Sequence, residues 1–306
     1  MLSIEVNGHS QMFKNNAFIL STVCVLLFLV GLLINVQAST IIHPKSNDPK
    51  ENLIAEILKL ALSKSANGDS YSFQPLPNAQ TEGRSMEMLK EGSMSVMWAG
   101  TQIQYEQTLL PVRIPVLKGM LGHRIFIIRQ GEESRFSNID SLSDLQRFPV
   151  GQGRFWGDTV VLQHAGLNVV TPVKYASLFP MLEGGRFDLF PRAIHEPWSE
   201  VAARPELNLT IEPRVLLIYP FAMYYFVAPD NRALASDIQQ GFMRAIEDGS
   251  YDQLFYAHPM IKDALSFARL DERVVIRLEN PNMSAQTPLD DKRLWLNIED
   301  MKEINL

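Results

Sequence analysis

Arg113, Arg154, Arg192, Trp98 and Trp156 are the side chains in this sequence best suited to grip a small molecule. A guanidinium holds a carboxylate or phosphate through two parallel N–H donors, and an indole offers a flat apolar wall. Arg154 follows the turn Gly151-Gln152-Gly153, just ahead of a helix expected to begin near Trp156 or Asp158. Backbone N–H groups at a helix start favour an anionic group, and glycines allow it close approach. A plain strand-to-helix turn accounts for the same residues. Taken together, these side chains would make a cationic, aromatic site for an anionic or ring-bearing solute.

Reactive chemistry has no comparable signature. His9, His43, His123, His164, His195 and His258 never fall in HxxxH or HExxH spacing, so no metal site is expected. No Gly-x-Ser-x-Gly elbow marks a hydrolase nucleophile, and no phosphate-binding Walker loop occurs. Gly151-x-Gly153 continues to Gly157, outside the dinucleotide fingerprint. Asp290-Asp291 and Glu132-Glu133 sit in polar turns and read as solvated faces. The expectation is a non-enzyme without cofactor.

Composition narrows the setting. Residues Phe18 to Val36 are an almost unbroken apolar run, with Lys14 before it and small Ala38 after it. This is the pattern of a secretory signal over residues 1–38, with Met12 as an alternative start. An uncleaved membrane anchor is the competing reading, because about 20 apolar residues span a bilayer. Either way the remainder is exported, which for a signal of bacterial style means the periplasm. Cys24, the only cysteine, lies within the run, so the exported part must be held by a hydrophobic core rather than disulfides. A net charge of -6 offers nucleic acid no broad attraction.

Hydrophobic spacing predicts alternating elements. Helices are expected at Glu51 to Lys64, Thr81 to Glu91, Asp158 to Ala165, Ser177 to Glu183 and Asn231 to Glu247. Strands are expected at Tyr71 to Gln74, Ser95 to Trp98, His123 to Arg129, Phe148 to Gly151, Asn168 to Val173 and Phe187 to Phe190. Leu216 to Val227 is a long apolar strand region broken by Pro220, and Val274 to Leu278 is a further strand. The alternation indicates an α/β fold with crossover connections.

Three segments in this order resemble the periplasmic solute-binding proteins of the family 3 type. Ser141-Leu142-Ser143-Asp144-Leu145 with Val150-Gly151-Gln152-Gly153 resembles the start of the family's second lobe. Met181-Leu182-Glu183-Gly184-Gly185-Arg186-Phe187-Asp188 resembles its helix–turn–strand "GrvD" unit. Phe226-Val227-Ala228 through Asn231, Leu234 and Ala245-Ile246 to Asp248-Gly249-Ser250-Tyr251 resembles the return to the first lobe. The resemblance implies a two-lobe type II periplasmic-binding fold with hinge crossovers, closing around a ligand. It implies a first lobe over 39–128, a second over 129–219, and a return with a C-terminal extension over 220–306. Val274 to Leu278 and Leu294-Trp295-Leu296 are expected to extend the first lobe.

The family's amino-acid clamp is not matched. Thr101 fits the threonine of its "T.eR" motif, but Gln104 stands where the carboxylate-binding arginine belongs. Ala193 stands where an acid would bind the amino group. The resemblance places Arg113 at the cleft edge of the first lobe, and Arg192 and Glu196 at that of the second. Gly153, Arg154, Trp156 and Asp158 join them from the glycine turn, and Trp98 and Thr101 from the first lobe. The expected function is capture of a small polar solute by a monomer, for an ABC importer. Presentation of the ligand to a membrane sensor is the alternative, and an enzyme on the same fold is a more distant one.

Overall fold

The computed structural model describes residues 39–46 and 48–298, so the segment read as a signal, residues 1–38, lies outside the described residues. Strand β1 (Ser39–His43) precedes helix α1 (Pro49–Ser63), whose start is fixed by Asp48: its side chain accepts the Glu51 N–H at 3.0 Å. Leu53, Ile54, Ile57, Leu58, Ala61 and Leu62 form the buried face of α1. Next come β2 (Tyr71–Pro75), α2 (Glu82–Lys90), β3 (Met97–Gly100), α3 (Ile103–Thr108) and β4 (Leu110–Val112). A second run follows: β5 (His123–Arg129), α4 (Leu142–Leu145), β6 (Val150–Gly151), α5 (Gly157–His164), β7 (Val169–Val170), α6 (Leu178–Glu183), β8 (Phe190–Ala193) and α7 (Pro197–Ala202). The chain then forms β9 (Leu209–Ile211), β10 (Val215–Ile218), β11 (Met223–Val227), α8 (Arg232–Glu247), α9 (Ser250–Ala257), α10 (Pro259–Ala268) and β12 (Val274–Arg277). Among the described residues no helix is long and apolar enough to cross a membrane.

Among the described residues these strands make two larger sheets, of three and five strands, and two two-stranded pairs, β1–β2 and β6–β7. In the first, β11 runs antiparallel between β3 and β4, with Tyr225 opposite both Trp98 and Val112. The pair β1–β2 joins through the Ser95 N–H, which donates to the Ile42 carbonyl at 2.8 Å. Alternate residues of β11 enter different cores, as a period of two requires. Met223, Tyr225 and Val227 pack with α1 and α8, whereas Tyr224 and Phe226 pack with Leu89 of α2, Met94 and Leu109. Burial on both faces explains why β11 has no polar position.

The second sheet centres on β5, which pairs antiparallel with β8, β9 and β10. β6 and β7 are parallel and extend the sheet beyond β8, where Val150 bridges Leu189. The Leu216 to Val227 region is therefore two strands in two sheets, and Pro220 lies in the connection between them. β5 belongs wholly to the second sheet, so the first crossing falls at residues 113–122, earlier than the expected departure near Arg129. The expected placement of Val274 to Leu278 on the first lobe is also corrected. β12 pairs parallel with β10 at the edge of the second sheet, with Val215 opposite Val274. The physical reason is that β10 offers an open edge on its side away from β5, and the chain returns there from α10.

The two crossings touch. The Tyr219 N–H donates to the Gly122 carbonyl at 3.1 Å, and a Cβ on Gly122 would collide with the Tyr219 carbonyl oxygen. Only glycine allows this approach. Gly122→Ala is expected to destabilise the chain by about 1–3 kcal/mol, the usual cost of overpacking, measured by urea unfolding. Beside it, buried His123 is pushed down to about 4, mainly by desolvation, against the modest opposing effect of its contact with the Gly119 carbonyl. Unfolded imidazole takes up a proton below about 6.5, whereas the folded one resists until about 4. Stability supplied by neutral His123 is thus fully present above pH 6.5 and is lost as pH falls towards 4. Unfolding titrations of His123→Phe should show a shallower decline across that window than the parent chain.

Candidate functional site

Two groups of sequence-predicted residues form at the strand ends, one on each sheet. On the first, Thr101 follows β3 and its hydroxyl donates to Glu106 Oε1 at 2.8 Å. Arg113 follows β4 and binds the other oxygen of the same carboxylate, Nε at 3.0 Å and Nη2 at 2.9 Å. Glu106 therefore ties the ends of both strands together, and Arg113 already has its carboxylate. The Trp98 indole N–H donates to Glu51 at 2.5 Å, and its ring lines a cavity of about 300 Å³ beside Lys50, Gln80 and Glu82. That cavity draws its walls from the first sheet and its helices.

On the second sheet, Arg192 at the end of β8 is almost fully buried. Its Nε and Nη2 bind Glu200 of α7 at 2.8 and 2.6 Å, and Nη2 also meets Glu196 at 2.9 Å. Trp156, Phe190 and Tyr175 stack around the guanidinium at 5.0, 5.1 and 5.5 Å. Burial would lower its pKa, but Glu196 and Glu200 outweigh that and raise it. The Tyr175 hydroxyl donates to Glu200 at 2.5 Å, and burial followed by that carboxylate pushes its pKa up. For Glu196, burial opposes ionisation, yet Arg192, His195 and Arg124 hold it down at about 2. Arg192 is thus charged and matched from within the protein. The sequence offers Arg192 to an anionic ligand; in the structure α7 brings Glu200 onto its fork.

Asp158, in the first turn of α5, is buried and faces the crossings. It accepts the Tyr219 hydroxyl at 2.5 Å and pairs with buried Arg124 of β5. Arg124 also reaches Glu196 at 3.6 Å, joining this pair to the Arg192 cluster. These carboxylates serve as internal counter-ions rather than as a lining for an open site.

Arg154 and Trp156 are brought together in a different place. With Gln102, Phe155, Thr159 and Thr171 they line a cavity of about 510 Å³. Gln102 follows β3 of the first sheet, whereas the other five belong to the β6–α5–β7 unit of the second. Gly153 supports this wall from behind. A Cβ there would press into the Trp156 indole at 2.5 Å, and its carbonyl accepts the Thr159 hydroxyl at 2.7 Å. Arg154 is exposed, and among the described residues its side chain makes one hydrogen bond, Nη2 donating to the Thr171 carbonyl at 3.3 Å. It is the one charged side chain in the lining, beside the neutral donors and acceptors of Gln102, Thr159, Gln163 and Thr171.

Phe221, in the returning crossing, closes the floor between the sheets. A Cβ on Gly100 would lie 2.6 Å from its ring, and one on Gly157 would lie 3.4 Å from it. The middle of the glycine turn is polar by contrast: Gln152 is fully buried, and neither of its side-chain amide atoms has a partner among the described residues. Such a group is costly to bury unless something polar meets it. Gln102, Thr159 and Thr171 were not singled out by sequence reasoning, although Gln102 is adjacent to Thr101. Glu106 and Glu200 carried no local signal, since each acts through an arginine on another element.

No family model and no curated protein sequence matches the chain. Solved structures do match. The YckB protein of Bacillus subtilis superposes with a TM-score of 0.51 at 15% identity, over 80% of this chain and 98% of that one. An ancestral arginine-binding protein bound to arginine gives 0.49 at 16% identity, over 73% and 99%. The second substrate-binding domain of Lactococcus lactis GlnP, in an open conformation, gives 0.47 at 15% identity, over 72% and 95%. With two larger sheets joined by paired crossings, the chain has the two-lobe type II periplasmic-binding fold.

Proposed function

We propose that this chain is an exported solute-binding protein that captures a small polar solute between its two lobes. The observation that carries this reading is the cavity of about 510 Å³ walled by Gln102 from one lobe and by Arg154, Trp156 and Thr159 from the other. Its size suits a small ligand, and its mix of aromatic wall and few polar groups is what such sites use. Because both lobes supply walls, occupation of the cavity would favour their closure. The apolar run from Phe18 to Val36 supports export, and hand-off of the solute to an ABC importer follows by analogy of fold.

The chemistry of the lining bears on the ligand. Gln104 is exposed, and the Ala193 N–H is bonded to Glu196 at 2.7 Å, so neither end of an α-amino acid clamp is in place. Arg192 and Arg113 are neutralised within the protein, which leaves Arg154 as the single cation. The ligand class is therefore a neutral or singly anionic solute with a flat or apolar portion for Trp156 and Phe155.

A thermal-shift screen of the full chain against organic acids, sugars, amino acids and aromatic metabolites tests this. At least one compound should raise the melting temperature in a concentration-dependent way. For that compound, Arg154→Ala and Gln102→Ala should each weaken binding roughly tenfold or more, without lowering the melting temperature of the unliganded chain. A hit whose affinity is indifferent to both substitutions would place the site elsewhere, and silence across the whole screen would remove the binding role.

A further inference from the structure

A second, larger cavity of about 550 Å³ lies against the crossings, lined by Gly119 and Tyr219 together with residues of the C-terminal segment. That segment bridges both crossings. The Asn280 side-chain amide donates to the Pro220 carbonyl at 2.9 Å, and the Leu296 N–H donates to the Lys118 carbonyl at 2.7 Å. The Trp295 ring packs on Gly119, which holds a positive φ of 67°, and its indole N–H donates to the Pro288 carbonyl at 2.8 Å. A strap of ordered chain therefore spans the two strands about which the lobes would turn.

The lining is chemically polarised. Leu278, Leu289, Trp295 and Ile298 give it apolar walls, and Leu289 is 51% exposed at the rim. Arg277 and Lys292 supply two cations; among the described residues no carboxylate lines the cavity and neither cation forms an ion pair. This differs from the lobe clusters, where each buried arginine meets a glutamate or aspartate. Two unmatched cations beside an apolar hollow fit a molecule with an anionic head and an apolar body.

We propose that this hinge-side cavity is a second binding site, for a small amphiphilic organic anion such as a medium-chain carboxylate. It shares no polar lining residue with the inter-lobe cavity. Tyr219 connects it to the lobes, since this residue lines the cavity while its hydroxyl holds Asp158.

The test titrates the full chain with 8-bromooctanoate and follows tryptophan fluorescence, because bromine quenches an indole it touches. Saturable quenching is expected, most of it lost in Trp295→Phe. The double variant Arg277→Ala, Lys292→Ala should weaken binding at least tenfold, whereas Arg154→Ala should leave it unchanged. The neutral analogue 8-bromooctanol should bind at least tenfold more weakly than the acid. Equal binding of acid and alcohol, unaltered affinity in the double variant, or quenching that survives Trp295→Phe would each overturn the assignment. So would quenching seen only when the acid is presented in anionic phospholipid vesicles. Failure here leaves the inter-lobe reading standing, because the two sites are addressed by different substitutions.

Discussion

Everything about the placement of the two lobes leads back to Asp158. It lies in the first turn of α5, the helix that forms one wall of the inter-lobe cavity, and it is held by Tyr219 from the returning crossing and by Arg124 from the central strand of the second sheet. A buried carboxylate without partners would be forced towards neutrality or towards solvent. With an arginine and a tyrosine hydroxyl aimed at it, it is stable in one orientation only. The pairing adds less net stability than its short contacts suggest, because all three groups lose water. Its effect is geometric: it fixes where α5 starts relative to the crossing, and hence where Arg154 and Trp156 stand.

The same principle of internal matching runs through the strand ends. Glu106 joins Thr101 to Arg113, and Glu196 and Glu200 enclose Arg192 under Trp156 and Tyr175. Arg113 and Arg192, which the sequence offers as anion receptors, are each met by a carboxylate from a neighbouring element. The lobes are therefore pre-organised and near neutral where they face each other, with Arg154 left at the cavity edge. On the proposed reading, such a site would discriminate by shape and neutral hydrogen bonds, with one charge to orient the solute.

Much of the architecture was legible in the sequence because it rests on local patterns. Asp48 and Pro49 announced α1, the apolar spacing of Leu234, Ile238 and Phe242 announced α8, and the alternation of short strands and helices announced the α/β class. The tail was misplaced because strand pairing is non-local: nothing in Val274–Arg277 says that β10, rather than the first sheet, will accept it. Leu216 to Val227 read as one apolar region because both of its strands are buried on two faces; only Pro220 hinted at the break. Of the candidate site, the glycine turn with Arg154 and Trp156 was visible from residue types. Arg192 was visible as well, but its partner was not, because α7 is six residues long and its Glu200 matters only after the fold brings it to β8.

The central claim is that the lobes move about the paired crossings to enclose a solute. Its most direct measurement is the distance between spin labels at Glu87 of α2 and Lys174 beyond β7, both exposed, in a chain whose Cys24 is replaced by serine. The account predicts that a solute bound through Arg154 shifts the distance distribution and narrows it, and that the shift needs more solute in the Arg154→Ala variant. A single distribution that stays fixed while the solute saturates its site would contradict it.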